Sequence, residues 1–418
     1  MQKKLAVLCF CLFVLTTWVY ALVYDNQVYD SRVKTVQVVK AGTIDRYPII
    51  SLNGGDQLEL SFDILGNQNE YFQYTLVHCD VNWNPTPLNQ NEYIRGLTFD
   101  NINDFKFSTN TYVKYVHYAQ LLPNENMKPL IAGNYIIKVY RNFDEEDLLL
   151  TRKMMVINQA VSIEGTARPA TLAQFRYTKQ ELNFTVNYKG FIMPDPFRDV
   201  NVVILQNSRW DNALTGLKPL FIRDNTLDYN YFDQTLFDGG NEFRFFDIRN
   251  LRQFSQNVRT KVLDSMYRCY LNFEESRGSK QYFFYNDFNG KRVIDNKEGQ
   301  NNVAIDGDYA SITFYLLNMN KLDQDVYVFG EFSDWRLLPE YKMYYNKNRL
   351  RYELDATLKQ GRYEYKYAVA NNNGGPDENT FEGSHAQTEN EYMVLIYHKH
   401  VQFKYDELVG MRLIKTAP

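Results

Sequence analysis

Apolar and polar residues alternate with a period of two along most of this 418-residue chain, and that period commits it to β-sheet. Gln57-Leu-Glu-Leu-Ser-Phe62, Tyr112-Val-Lys-Tyr-Val-His-Tyr118 and Tyr135-Ile-Ile-Lys-Val-Tyr140 put alternate side chains on opposite faces of a strand. Turn clusters such as Asn53-Gly-Gly-Asp56 and Ala132-Gly-Asn134 separate them. Gln180–Asn187 and Val200–Gln206 flank a Met193-Pro-Asp-Pro196 turn, and Phe243–Phe246, Tyr267–Phe273 and Tyr282–Tyr285 continue the pattern. Ala310–Leu316, Val326–Phe329, Arg351–Asp355, Tyr363–Ala368 and Met393–Tyr397 complete it, with no sustained helical stripe, heptad or short repeat. The expected fold is all-β: tandem β-sandwich (Ig-like) domains behind a cleaved signal peptide. The expected divisions are a signal at 1–21, an N-terminal sandwich at 22–159, a middle β domain at 160–302 and a C-terminal Ig-like sandwich at 303–418. The polar stretch Lys291–Asp308 suggests the last boundary.

The first residues carry the parts of an export signal. Lys3 and Lys4 precede the apolar run Leu5–Leu15, and Val19 and Ala21 supply a small-residue cleavage site. The run is shorter than the roughly 20 residues that span a bilayer, and no later stretch approaches that length. Cys9 and Cys11 lie within the run without a lipidation box. Beyond the signal only Cys79 and Cys269 remain, either as two buried thiols, the simpler reading, or as one interdomain disulfide. Stability therefore falls to hydrophobic cores, for which 33 Tyr and 28 Phe are available. A net charge of −4 gives no reason to expect nucleic acid or an acidic surface as a partner.

Catalytic motifs are missing from the sequence. There is no Gly-x-Ser-x-Gly elbow, phosphate loop, dinucleotide fingerprint or His-Glu-x-x-His helix. His398 and His400 share a strand face, and without an adjacent carboxylate or Cys the expectation is a solvated pair rather than a metal site. His78 and His117 read as structural, and Cys79 beside His78 faces the other way on its strand. The acidic run Asp144–Asp147 reads as a solvated hairpin tip, and Asp306-Gly-Asp308 as a turn rather than a calcium loop. A facing carboxylate pair of the glycosidase kind stays open. No cofactor or metal is expected, and the chain is read as a binding protein, not an enzyme.

Two sets of motifs carry resemblances. Val326-Tyr-Val-Phe-Gly-Glu-Phe-Ser-Asp-Trp335 followed by Leu358-Lys-Gln-Gly-Arg-Tyr-Glu-Tyr-Lys-Tyr367 resembles early-set Ig-like modules of starch-acting enzymes and glycogen-binding subunits. That resemblance implies a possible sugar platform at Trp335, with packing on its own sandwich as the favoured alternative. His78-Cys-Asp-Val-Asn-Trp83, Glu92-Tyr-Ile-Arg-Gly96, Gln206-Asn-Ser-Arg-Trp-Asp211, Gly240-Asn-Glu-Phe-Arg-Phe-Phe-Asp247, Leu358-Lys-Gln-Gly361, Gln387-Thr-Glu-Asn-Glu-Tyr392 and Tyr405-Asp-Glu-Leu-Val-Gly410 occur in that order. Together they resemble the Bacteroidetes type IX secretion system plug family. The resemblance implies a soluble periplasmic subunit that seats against the outer-membrane translocon β-barrel and closes it, and the chain alone is expected to be monomeric. It supplies no catalytic residues. Asn241, Glu242, Arg244 and Asp247, in the densest motif, are candidate contacts for a ligand or partner, with buried hydrogen bonding as the other reading. A periplasmic or surface carbohydrate-binding protein is the alternative function, and an unrecognised hydrolase the third.

Overall fold

The period-two pattern is realised as three β-sandwiches in a computed structural model that describes residues 24–43, 47–298, 302–371, 373–400 and 402–416. The expected signal lies outside the described residues. The N-terminal sandwich faces one sheet, centred on Phe72–Cys79, Gly133–Arg141 and Asp144–Ile157, against another of Val33–Lys40, Leu58–Leu65, Asp104–Phe107 and Tyr115–Leu122. Phe62, Tyr74, Leu76, Tyr118, Tyr135 and Ile137 meet between them. The acidic run does follow a hairpin tip, where Asn142 and Phe143 take positive φ angles of 55° and 58°. The expected strand at Tyr112 begins instead at Tyr115. The Asp308 carboxylate takes the Tyr112 and Val113 N–H groups out of the ladder, at 2.7 and 3.1 Å.

Strand pairing corrects the boundary expected at 302/303. The middle sandwich pairs Ser162–Pro169, Lys179–Asn187, Thr226–Asp228 and Phe221–Arg223 in one sheet. Its second sheet runs Leu214–Thr215, Val200–Gln206, Glu391–His400, Tyr405–Lys415, so the C-terminal hairpin completes this middle unit. The third sandwich is inserted between those halves. Arg244–Asp247 pairs with Gly361–Ala370, and Val258–Leu263 and Tyr267–Leu271 lead to Tyr309–Leu317 and Arg351–Lys359. The physical reason lies in burial. Tyr392, Val394 and Ile396 complete the core around Phe184 and Ile204, whereas Phe246, Phe314, Tyr363, Tyr365 and Tyr367 build a separate one. Tyr282–Tyr285, expected as a strand, is a loop whose hydroxyls anchor it: Tyr285 donates to the Phe243 carbonyl at 2.8 Å and Tyr282 to Glu242.

The three units are packed into one body. Alternate residues of the same strands serve two cores: Val202 and Ile204 face into the middle sandwich, while Val203 and Leu205 face the N-terminal one. Met393, Leu395 and Tyr397 do the same opposite Ile136, Met155 and Ile157. Cys79 sits in that shared layer and Cys269 in the third core, both free thiols pushed up to about 12 by burial. The disulfide alternative is thereby set aside.

Candidate functional site

The motif residues lie where the sandwiches join. The chain leaves the middle unit at Gly239-Gly240 and returns through Ser384–Asn390, and these two crossings run side by side. A Cβ on Gly239 would lie 2.1 Å from the His385 carbonyl oxygen, so only glycine permits the approach. Asn390 Nδ2 donates to the Gly239 carbonyl (2.8 Å) and to Gln180 (3.0 Å), and Thr388 donates to the Gly240 carbonyl (2.9 Å). Asn241 Nδ2 donates to the Glu382 carbonyl at 2.8 Å, and Arg244 Nε to the Glu382 carboxylate at 2.9 Å. Arg277 holds the other Glu382 oxygen at 2.6 Å. Glu242 is buried, accepting from Tyr282, and Asp247 is half-buried with a bidentate Arg249. Asn241, Glu242 and Arg244 thus form a buried clasp at the root of the insertion, each no more than 6% exposed.

Between the middle and third units, Arg209 bonds Glu378 and Asp211 at 2.7 Å each, and Lys366 bonds Glu378 at 2.7 Å. Burial alone would raise Glu378, yet the Arg209 and Lys366 charges hold its carboxyl at about 2. Between the N-terminal and third units, Lys359 of the Leu-Lys-Gln-Gly motif bonds Asp63 at 2.7 Å. Each of these two side chains is only 1% exposed.

Trp335 is half-buried. The Arg209 guanidinium lies 4.7 Å from its ring centroid, and Phe329 and Phe243 meet it edge-on. A Cβ on Gly290 would lie 2.4 Å from its Cη2. The simple sugar-platform expectation needs an open ring face, whereas this ring is packed among its neighbours. Trp335 instead helps line a cavity of about 350 Å³ where the three sandwiches meet, together with Trp83 and Trp210. Sequence reading took these tryptophans singly; their convergence needed the fold.

Two titratable groups stand out. His398, His400 and Glu407 bring one ligand atom each within 4.8 Å, because the hairpin places Glu407 opposite His398. This corrects the expected solvated pair without a carboxylate: His398 is buried against Phe191, and His400 Nε2 is 2.6 Å from Glu407. The trio has the donor types and spacing that could hold a metal ion. Glu364 is buried, and desolvation together with the Asp287 charge pushes it up to about 8, against the Phe288 and Gly290 N–H groups that favour its charged form. A carboxyl raised on folding contributes stability below its unfolded value that is lost as pH rises through 8. Denaturant midpoints should therefore fall between about pH 4.5 and 8, and Glu364→Gln should flatten that slope.

Fold and site together define a class: a modular β-sandwich protein whose aromatic and charged motif residues join its modules. Residues 33–158, the N-terminal sandwich, match the family model described as "Type 9 secretion system plug protein 1st domain". A crystal structure of a hypothetical protein from Parabacteroides merdae is similar over 95% of this chain and 100% of that one, with 29% identity and a TM-score of 0.91. No curated protein matches the chain.

Proposed function

We infer that this chain is a non-enzymatic periplasmic subunit that closes the periplasmic mouth of the type 9 outer-membrane translocon. The observation that carries this reading is the match of residues 33–158 to the first plug domain. The physics agrees with it. A barrel wide enough to pass folded cargo leaks unless something occludes it. A cover must resist deformation, and here every junction is tied by buried ion pairs or a shared apolar layer. The densest polar motifs of the sequence serve as joints between the sandwiches.

Affinity purification of the tagged native protein tests the reading. It should recover a large outer-membrane β-barrel. Reproducible absence of that barrel, with retention of the chain on an α-glucan column, would overturn it in favour of carbohydrate binding.

A further inference from the structure

The cavity at the junction of the three sandwiches is built differently from the ion-paired joints around it. Each sandwich contributes one tryptophan to its wall: Trp83, Trp210 and Trp335. Trp83 and Trp210 meet edge to face at 5.0 Å, and the Lys153 ammonium lies 4.8 and 5.0 Å from their ring centroids. Three guanidiniums also line it, from Arg152, Arg292 and Arg336. Arg152 and Arg336 share one carboxylate, Asp334, at 3.4 and 3.9 Å. Arg292 has no ion pair among the described residues, although only 8% of it is exposed; its Nη2 donates to the Val36 carbonyl.

The unpartnered polar atoms are mostly donors. Trp83 Nε1, Arg292 Nε and Arg336 Nε are all buried without a hydrogen-bond partner, and Trp83 is 6% exposed overall. A buried donor left unpaired destabilises the fold, and more so when it is charged. Water can accept from such donors, but it brings no negative charge to a buried guanidinium. An acceptor-rich anion satisfies both needs. The indole walls favour a flat apolar body, and the volume falls at the lower end of the roughly 300–1,000 Å³ seen for small-molecule sites.

We propose that the three-tryptophan cavity is a binding site for a small organic anion, a carboxylate carried on a flat apolar body. The carboxylate sits against Arg292 and the Trp83 indole N–H, and the body lies among the indoles. Because each sandwich supplies part of the wall, an occupied site ties all three together.

The chain carries its own probe. The fourth tryptophan is Trp18, inside the expected signal, so the tryptophan emission of a chain starting at residue 22, excited beyond the tyrosine absorption, comes only from the three cavity indoles. Benzoate and phenylacetate should change that emission saturably at about 1 mM or below and raise the thermal midpoint. Benzamide and phenylacetamide, equal in shape and uncharged, should bind at least tenfold more weakly. Inorganic phosphate, an anion without the apolar body, should also bind more weakly than the aromatic acids. Arg292→Met should lose the preference of acid over amide. Should that variant fail to fold, calorimetric titration of the unaltered chain with each acid and its amide decides the question alone. Acids and amides that bind equally, or acids that give no saturable signal up to about 10 mM, would overturn the proposal.

Discussion

Truncation after Asn390 is expected to unfold the middle sandwich, although the residues removed lie about 150 positions beyond its preceding strand, Leu236–Asp238. The deletion takes away the strands Glu391–His400 and Tyr405–Lys415, half of a four-stranded sheet. With them go nine buried apolar side chains: Tyr392, Met393, Val394, Leu395, Ile396, Tyr397, Leu408, Val409 and Ile414. Burial of such side chains contributes roughly 1.5–3 kcal/mol each, so their sum rivals or exceeds the whole stability of a domain, about 5–15 kcal/mol. Hydrogen exchange should show protection lost across Lys179–Asn187 and Val200–Gln206. Protection retained there, with loss confined to Tyr309–Leu317 and Arg351–Lys359, would instead restore the boundary at 302/303.

The second large effect is expected at Lys359. Its ammonium and the Asp63 carboxylate are both buried, and Asp63 is further held by Tyr309 Oη at 2.6 Å and His117 Nδ1 at 2.7 Å. Burial would raise Asp63, but the Lys359 charge and the His117 contact bring it below the ordinary carboxylate range. Lys359→Met leaves that carboxylate charged, buried and without its cation, which should cost about 3–5 kcal/mol. The double variant Asp63→Asn with Lys359→Met should recover most of the loss, since neither charge remains. Asp63 is depressed on folding, so its contribution is present above the unfolded carboxylate value and lost as pH falls through the folded one. Urea unfolding of the single and double variants reads all three effects. A loss below about 1 kcal/mol for Lys359→Met would mean that the joint between the N-terminal and third sandwiches does not rest on this pair.

Much of the fold was legible because period-two alternation reports a half-buried strand directly. Tyr363, Tyr365 and Tyr367 do share one face and fill the third core. The insertion was not legible, because alternation says nothing about which strand lies beside which. One signal was available: Met393-Val-Leu-Ile-Tyr397 and Val202-Val-Ile-Leu205 are apolar without alternation, the mark of strands covered on both faces. Read that way, they belong to one layer between two units, which is where the structure puts them. The motif residues Asn241, Glu242 and Arg244 were identified as a dense polar group, and their clasp role needed Glu382, a residue some 140 positions away. Trp335 was a sugar-platform candidate with packing on its own sandwich as the favoured reading, and only the fold shows Arg209 lying across its ring.

Channel closure itself offers the most direct test of the proposed function. The outer-membrane barrel recovered with this chain can be reconstituted in a planar bilayer and its conductance measured before and after the protein is added to the periplasmic side. The account predicts a large, saturable fall in conductance with the intact chain, and little fall with the chain truncated after Asn390. Conductance that stays unchanged while the intact chain is demonstrably bound to the barrel would contradict it.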